Sequence, residues 1–600
     1  MIGTGLKENC CGCNACGDIC PQNAISFVAD NEGFLYPQVD KDKCTDCGLC
    51  EGICPNINKC RSSKDNFKEP VCYVAKHRSV EVVFASTSGG IFSALADVMY
   101  KEGGYVGGAV HNEDFSVSQF ISNDRKDLNR LRRSKDLQST AEGYYKEVKR
   151  ILDSGASVLA CGLPCQTAGL LNYLKNDYEN LITVDLVCAG VNSPKVWRKY
   201  LDSIENKAGS KLVYTENKSK EYGWQNLTQK FVFENGEEYF DIGSKSSFVK
   251  GYIGSHLYCR PSCYECRFKG FPRAADITIG DFWGIEKFTS EYNSDLGTSL
   301  VLINSKKGEA YFEKAKRRIN CKEVPLDWAL PGNPSLMQSM TRISERRDEF
   351  FSDLDKEDFD AVVSKYSQPE VKRSALRRIL GIGRTVIRTT RLDLKALFQT
   401  FRYSGLGRLF KGKGMICTPG CQINIHKSSK IEFDGLFFFG RKSFFPNSKN
   451  ESRLFVGKNA TFKVLGDFAV DADNEIVVFD NAELIIHGKK NSFSDANRGL
   501  TIICGQKIEI MPDVGIGRNV MIRDTNGNHF INTPGYRPAR PVTIGEKAWL
   551  CESSTIMPGV KVGRGAIVGA YSLVTRSVPD HAMVSGNPAN VVQDKILFKL

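Results

Sequence analysis

At 600 residues the chain is about four times the length of a typical domain, so several separate cores are expected. Apolar residues at 41%, charged residues at 25% and a mean hydropathy of -0.29 are the proportions of water-soluble globular protein. No run of about 18 uncharged apolar residues occurs and Met1 to Glu8 holds no apolar segment, so neither a spanning helix nor a secretion signal is expected, and the expected location is cytoplasmic. The 22 cysteines mostly cluster, which without an export signal points to metal rather than disulfides.

In chain order, residues 1–60 form a cysteine-dense unit. Cys10, Cys13, Cys16 and Cys20 precede Pro21, and Cys44, Cys47, Cys50 and Cys54 precede Pro55. This is C-x2-C-x2-C-x3-C-P twice, the bacterial ferredoxin pattern for two 4Fe-4S clusters. The fourth cysteine of each run serves the other cluster. The expected ligand sets are therefore Cys10, Cys13, Cys16 and Cys54 for the first cluster, and Cys44, Cys47, Cys50 and Cys20 for the second. Paired zinc knuckles are the alternative, although zinc favours ligands in C-x2-C pairs. Cys11 stands beside Cys10 and is a candidate to take its place.

From residue 71 to about 290, strand-like runs (71–75, 157–161, 181–187) alternate with helical stretches (91–101, 167–174), the pattern of an open, at least partly parallel α/β sheet. Ser86, Ser88, Gly89 and Gly90 belong to a small turn that opens a helix. Backbone N–H groups at such an N-terminus suit a pyrophosphate. Lys135 and Arg273 are candidate phosphate or flavin contacts. Cys165 and Cys188 each follow the carboxyl end of a predicted strand, where ligands of open sheets gather. With Cys263 and Cys266 they supply four thiolates for one further cluster. Zinc is the alternative metal, and Cys161 or Cys259 an alternative ligand. Residues 295–370 are predicted to be mostly helical.

Residues 371–414 hold 12 Lys/Arg and one acid, out of a net charge of +12 for the whole chain. The rest is nearly neutral, so no nucleic-acid partner is expected. The basic residues are interleaved with Leu376, Ile379, Phe398, Phe401 and Phe410. That pattern suits a basic amphipathic helix on an anionic membrane, or a helix packed on the domain that follows. Beyond Met415, Ile544, Leu550, Ile556, Val562, Val568 and Val574 stand six residues apart, the signature of a hexapeptide β-helix. Residues 526–541 interrupt the rhythm as an insertion loop would.

Two resemblances add expectations. About residues 70–330 resemble the beta subunit of coenzyme F420 hydrogenases and dehydrogenases. The likeness rests on Ser86-Thr87-Ser88-Gly89-Gly90, Ser134-Lys135 with Gln138-Ser139, Gly162-Leu163-Pro164-Cys165-Gln166, Asp185-Leu186-Val187-Cys188-Ala189-Gly190 and residues 260–284. It implies FAD, a 4Fe-4S cluster, and electron passage between a two-electron donor and one-electron carriers. F420, NAD(P)H and reduced ferredoxin all remain open as redox partners. Ala189-Gly190-Val191-Asn192 departs from the family's usual His-Gly-Val-Pro and leaves the hydride donor open.

About residues 415–600 resemble the hexapeptide-repeat acetyltransferases, on Asp524-Thr525-Asn526-Gly527-Asn528-His529, Thr543-Ile544-Gly545 with Trp549, and Ser585-Gly586-Asn587-Pro588-Ala589. This resemblance implies acetyl-CoA as donor, His529 as general base, and Asp524 or Asn526 orienting its ring or the acceptor. It also implies Trp549 near acceptor or CoA, and a homotrimer with CoA between neighbours. A neutral imidazole is suited to accept the proton, a contribution of about 10²–10⁴-fold in rate.

The expected architecture is thus multidomain: an α+β dicluster ferredoxin (1–60), an α/β flavin and iron–sulfur domain (70–370), a basic linker helix (371–414) and a C-terminal left-handed parallel β-helix (415–600). The expected function joins an iron–sulfur flavoprotein oxidoreductase to an acetyl-CoA-dependent acetyltransferase. Its acceptor would be a sugar or nucleotide-sugar of surface polysaccharide biosynthesis. An electron-carrying protein partner and peripheral contact with the inner membrane face complete the expectation. The alternative makes the iron–sulfur part a non-catalytic relay or scaffold.

Overall fold

Short helices at Ala15–Ile19 and Leu49–Gly52 each begin just after a residue in the left-handed region, Asn14 (φ 65°) and Gly48 (φ 70°). These tight entries let each cysteine run double back on itself. The computed structural model describes residues 2, 7–58, 65–243, 245–289, 291–292, 294–339, 344–367, 375–442, 451–488, 494–527, 535–594, 596 and 598. The chain divides into two units, Met1–Pro369 and Glu370–Leu600.

In the first unit the hairpin β1 (Ile25–Ala29) and β2 (Leu35–Val39) supports the cysteine loops. The main sheet contains β3 (Asn66–His77), β4 (Tyr105–His111), β5 (Val117–Ser122), β6 (Val158–Gly162) and β7 (Leu181–Leu186). A separate antiparallel sheet follows, from β8 (Leu212–Ser219), β9 (Thr228–Phe233) and β10 (Glu238–Asp241). The chain then returns to the main sheet as β11 (Ile277–Asp281), β12 (Ser299–Ser305) and β13 (Ile319–Glu323). The strand order is β13-β3-β12-β11-β7-β6-β4-β5. β4, β6, β7 and β11 run parallel, while the outer strands pair antiparallel. Helices Pro164–Leu174 and Lys306–Ala315 follow their strands directly, and Ile91–Lys101 follows β3 after the short helix Val80–Phe84. Val106, Leu159, Val184, Ile277 and Val301 form the core.

The helical expectation for 295–370 is corrected here. β12 is buried along its whole length, and a continuous Leu-Val-Leu-Ile run suits a strand covered on both faces. Ser305 then caps the next helix by accepting from Gly308 N at 2.9 Å, so strand passes to helix without a loop.

The second unit is built from three sheets of nine, seven and six strands, parallel throughout except where the final strand, Ala589–Gln593, turns back antiparallel on Met583–Gly586. Successive strands step from one sheet to the next, the coiling of a parallel β-helix. Ile544 pairs with Val562, Leu550 with Val568 and Ile556 with Val574. Three hexapeptides therefore make one turn, and all six aliphatics are essentially buried. Earlier coils are filled by Phe433, Phe437, Phe439, Phe462 and Phe468.

The single basic helix expected before the β-helix is three: Ala375–Thr390, Leu394–Ser404 and Leu406–Phe410. Ile382, Val386 and Leu409 pack on Ile416, Phe438 and Ala469. Thr400 and Ser404 accept hydrogen bonds from the backbone of the first strand, Cys417 N at 3.0 Å and Met415 N at 2.7 Å. The helices thereby cover an edge that would otherwise be open to pairing. Among the described residues no helix is long and apolar enough to cross a membrane.

Candidate functional site

The ferredoxin-like segment is docked by named contacts. The Asp18 carboxylate accepts from Gly143 N at 2.7 Å and Tyr145 N at 2.9 Å, capping helix Tyr144–Asp153 from another part of the chain. Asn14 Oδ1 accepts from Ala141 N at 3.2 Å, and Tyr145 donates its hydroxyl to Cys13 O at 2.6 Å. A Cβ on Gly169 would meet Cys13 Sγ at 3.1 Å, so glycine there lets helix Pro164–Leu174 approach the first cysteine run.

This docking gathers the thiols into three groups. Cys20, Cys44, Cys47 and Cys50 line one cavity of about 270 Å³. Cys10, Cys16 and Cys54 lie close enough to act on one another's charge, with Cys13 next to Cys16; burial, then these neighbours, push the Cys16 thiol up. The third group, Cys165, Cys188, Cys263 and Cys266 together with Cys11, lines a cavity of about 50 Å³, hereafter the third cavity. Burial, then Cys188, push the Cys263 thiol up to about 12. A coordinated metal would hold such a thiol deprotonated. Among the described residues no three Cys, His, Asp or Glu side chains close around a single ion; the thiols surround volumes rather than a point.

Cys161 and Cys259, the two alternative ligands, are elsewhere. Cys161 lines a different cavity, and buried Cys259 donates its thiol to Asn192 Oδ1 at 3.6 Å. The extra thiol in the third cavity is Cys11. The sequence sets it beside Cys10, but only the fold turns it toward Cys165.

A further cavity, of about 260 Å³, lies at the carboxyl ends of the parallel strands. Ser86, Ser88, Gly90, Lys135, Gly162, Gln166, Cys188, Lys218, Tyr252 and Asp281 are among its walls. Cys188 lines this cavity and the third one, as do Ser139, Leu163, Gln166, Gly190 and Val191, so the two share a wall that includes this thiol.

The turn at 86–90 departs from the expected open cradle of N–H groups. Gly89 N donates to Ser299 Oγ at 2.8 Å, and Ser88 Oγ donates to Thr298 O at 2.8 Å. Gly89 is glycine because a Cβ would lie 2.5 Å from Ala75 O. Gly90, at φ 85°, is the N-cap of helix Ile91–Lys101. Lys135 lines the cavity, but its ammonium donates to the carbonyls of Arg130 and Arg132 at 2.9 and 2.7 Å. Burial pulls it down to about 7. Arg273 is held by Asp185 at 2.9 Å and lines the third cavity instead. Sequence reasoning missed Lys218 and Tyr252. Lys218 pairs with Asp281 at 3.3 Å, and Gln166 links Leu163 N and Ser139 at 3.0 and 2.9 Å. Gln166 and Ser139 stand inside stretches that the sequence singles out; Lys218 and Tyr252 carry no spacing signal.

In the second unit, His529 lies outside the described residues. Asn526 N donates to Pro538 O at 3.0 Å and Arg540 N to Asp524 O at 2.8 Å, which closes the base of the insertion loop. Asp524 is fully buried, and its carboxylate accepts from Gly505, Gln506 and Lys507 N at 2.6–2.8 Å. Its oxygens thereby hold the neighbouring turn. Trp549 is 37% exposed and packs on Phe598 at 5.7 Å.

Comparison with known proteins assigns these regions. Residues 9–57 match the 4Fe-4S dicluster domain. Residues 155–327 match the C terminus of the coenzyme F420 hydrogenase/dehydrogenase beta subunit, and residues 541–576 match the bacterial transferase hexapeptide repeats. The chain thus carries an iron–sulfur and hydrogenase-like half and a hexapeptide-transferase half.

Among individual relatives, it is 32% identical over 111 residues to galactoside O-acetyltransferase of Escherichia coli, covering 18% of this chain and 54% of that protein. It is 43% identical over 61 residues to chloramphenicol acetyltransferase of Agrobacterium fabrum, covering 10% of this chain and 29% of that protein. The chain therefore spans about half or less of each. Of solved structures, the F420-reducing [NiFe] hydrogenase complex from Methanosarcina barkeri is 18% identical, covers 56% of this chain and 97% of its own, and has a TM-score of 0.31. The polySia-specific acetyltransferase NeuO is 22% identical over 31% of this chain and 84% of its own, at a TM-score of 0.23.

Proposed function

We propose that the first unit is an iron–sulfur flavoprotein oxidoreductase and the second an acetyl-CoA-dependent acetyltransferase, divided at the boundaries 1–60, 70–370, 371–414 and 415–600. The single observation carrying the redox reading is Cys188, whose thiol borders both the third thiol cavity and the cavity at the strand ends. Cys165, Cys188, Cys263 and Cys266 would hold a third 4Fe-4S cluster. Ser86, Ser88, Gly90 and Lys135 would wall the FAD site. The clusters supply one-electron transfer, and FAD supplies two-electron exchange with F420, NAD(P)H or another donor. The chain's own part is to bury the third site, expose the second through Cys47, and keep the flavin cavity beside a cluster ligand.

In the acetyltransferase, His529 acts as general base on a hydroxyl or amine of a sugar or nucleotide-sugar, while Asn526 and Trp549 flank the loop. A left-handed coil and a homotrimer with CoA between protomers complete this reading, and surface polysaccharide biosynthesis is the role it fits. Protein purified without oxygen should hold about twelve iron atoms and one flavin per chain. Zinc in place of iron would leave a structural metal module. His529→Ala should abolish acetyl transfer while CoA binding persists; retained turnover would make the β-helix a scaffold.

The helices before the β-helix favour a cytoplasmic protein held at the inner membrane face. Leu392, Leu394 and Phe398 are 63%, 83% and 61% exposed, beside Arg388, Arg391, Lys395 and Arg402. An apolar face with a cationic rim fits an anionic lipid surface. Leu394→Glu with Phe398→Glu should release the protein from anionic vesicles, and unchanged binding would end the proposal.

A further inference from the structure

Three arginines of the first unit are buried at 5% exposure or less: Arg260 (0%), Arg273 (5%) and Arg347 (5%). Two of them have a carboxylate. Arg273 Nη2 lies 2.9 Å from Asp185, and Arg347 contacts Glu32 at 2.7 and 2.8 Å. Arg260 has none among the described residues. The acidic groups nearest it are the thiols of Cys10, Cys11 and Cys263 and the phenol of Tyr36.

Its guanidinium donates from Nε to Cys10 O at 2.8 Å, from Nη1 to Gln138 Oε1 at 3.0 Å, and from Nη2 to Leu35 O at 3.1 Å. Nη2 also reaches Cys10 Sγ at 3.5 Å, and the group lies 4.2 Å over the Tyr36 ring. Arginine stays charged in proteins. Carbonyl contacts alone do not compensate the loss of water around a buried charge; an opposite charge is needed.

We infer that Arg260 is the counter-ion of the first ferredoxin cluster, held by Cys10, Cys13, Cys16 and Cys54, and raises its reduction potential relative to the second. The inference deepens the redox reading and rests on it. Four thiolates give a 4Fe-4S site net negative charge, and reduction adds one electron with no proton moved. The attraction to a fixed positive charge is therefore larger in the reduced state, and burial weakens its screening. The second thiol set lies at the surface, with Cys47 exposed, and no buried arginine faces it among the described residues. Arg260 therefore acts on one cluster of the pair.

The rival role is mechanical, because the same guanidinium clamps the Cys10 loop to Gln138 and Leu35. The test is a dithionite titration of the full-length protein purified without oxygen, followed by electron paramagnetic resonance with iron and flavin counted on each sample. Wild-type protein without iron would sink the redox reading itself, and this inference with it. In Arg260→Met, the expected result is one ferredoxin signal moved to lower potential and the other unmoved. A tenfold change in the reduction equilibrium is about 59 mV for one electron. Arg260→Lys, which keeps the charge, should restore most of the shift. If Met loses the first cluster and Lys keeps it, the charge requirement is supported. The inference is overturned if Arg260→Met keeps its iron and titrates as wild type. It is equally overturned if both variants lose the cluster, because geometry and not charge would then be what matters.

Discussion

The first unit holds its thiols with contacts that cross most of its length, whereas the second builds its core from the next turn of the same coil. Arg260 reaches Cys10 across 250 residues, and Asp18 caps a helix 125–127 residues away. In the β-helix, Ile544 meets Val562 and Leu550 meets Val568, one coil on each time. A site assembled over long distances depends on its docking contacts as much as on its ligands. A coil depends on each layer being apolar, and one wrong layer interrupts the stack.

The largest effect should come from breaking that stack. Val562 is fully buried, between Ile544 and the following turn. Val562→Asp places an unpaired charge there, at a cost of several kcal/mol. The expected outcome is loss of the β-strand signal of the second unit by circular dichroism and loss of acetyl transfer, with the iron–sulfur absorbance of the first unit unchanged. If the absorbance disappears as well, the two units are not energetically separate and the contrast between them fails.

A smaller effect, confined to the first unit, is expected from Gly12→Ala. Gly12 sits at φ 72°, and an added Cβ would lie 2.8 Å from Gln138 Nε2 and 2.9 Å from Arg260 Cζ. Left-handed backbone strain together with overpacking gives about 2–4 kcal/mol. Iron bound by the first cluster should fall while the thermal transition of the β-helix stays in place. Normal iron content in this variant would mean that the loop docks with more freedom than the geometry describes.

These sensitivities follow what the sequence can encode locally. The hexapeptide rhythm is legible because each aliphatic repeats a local rule, and the six predicted positions fall in one buried stack. Both cysteine runs are legible for the same reason, as ligands on one tight loop must be close in sequence. Cys11 in the third cavity, the pairing of Lys218 with Asp281 and the unpaired burial of Arg260 arise from tertiary packing, which spacing does not report. The strand at 299–305 looks helical in the sequence because a short apolar run has no clear period, and the strand at 319–323, Ile-Asn-Cys-Lys-Glu, carries too few apolar residues to show one. Asp524 shows what position alone does not report: it stands before a histidine-bearing loop, and its depth in the coil makes it a backbone acceptor.

The smallest of these effects isolates the docking contact from the metal ligands. Asp18 is not a cysteine and lies within helix Ala15–Ile19, yet it accepts from Gly143 and Tyr145 N at the start of a different helix. Asp18→Ala leaves these N–H groups, that of Tyr145 buried, without their carboxylate and should cost about 1–2 kcal/mol. Because every thiol is retained, the iron count of freshly prepared protein should match wild type. What should change is the midpoint of urea unfolding followed at the iron–sulfur absorbance, shifted down while the circular dichroism transition of the β-helix holds. Asp18→Asn keeps one acceptor oxygen and should recover part of the loss. Equal midpoints in all three proteins would place the docking energy in Asn14, Tyr145 and the close approach at Gly169 instead, and would make the ferredoxin-like segment less dependent on this one cap than its hydrogen bonds imply.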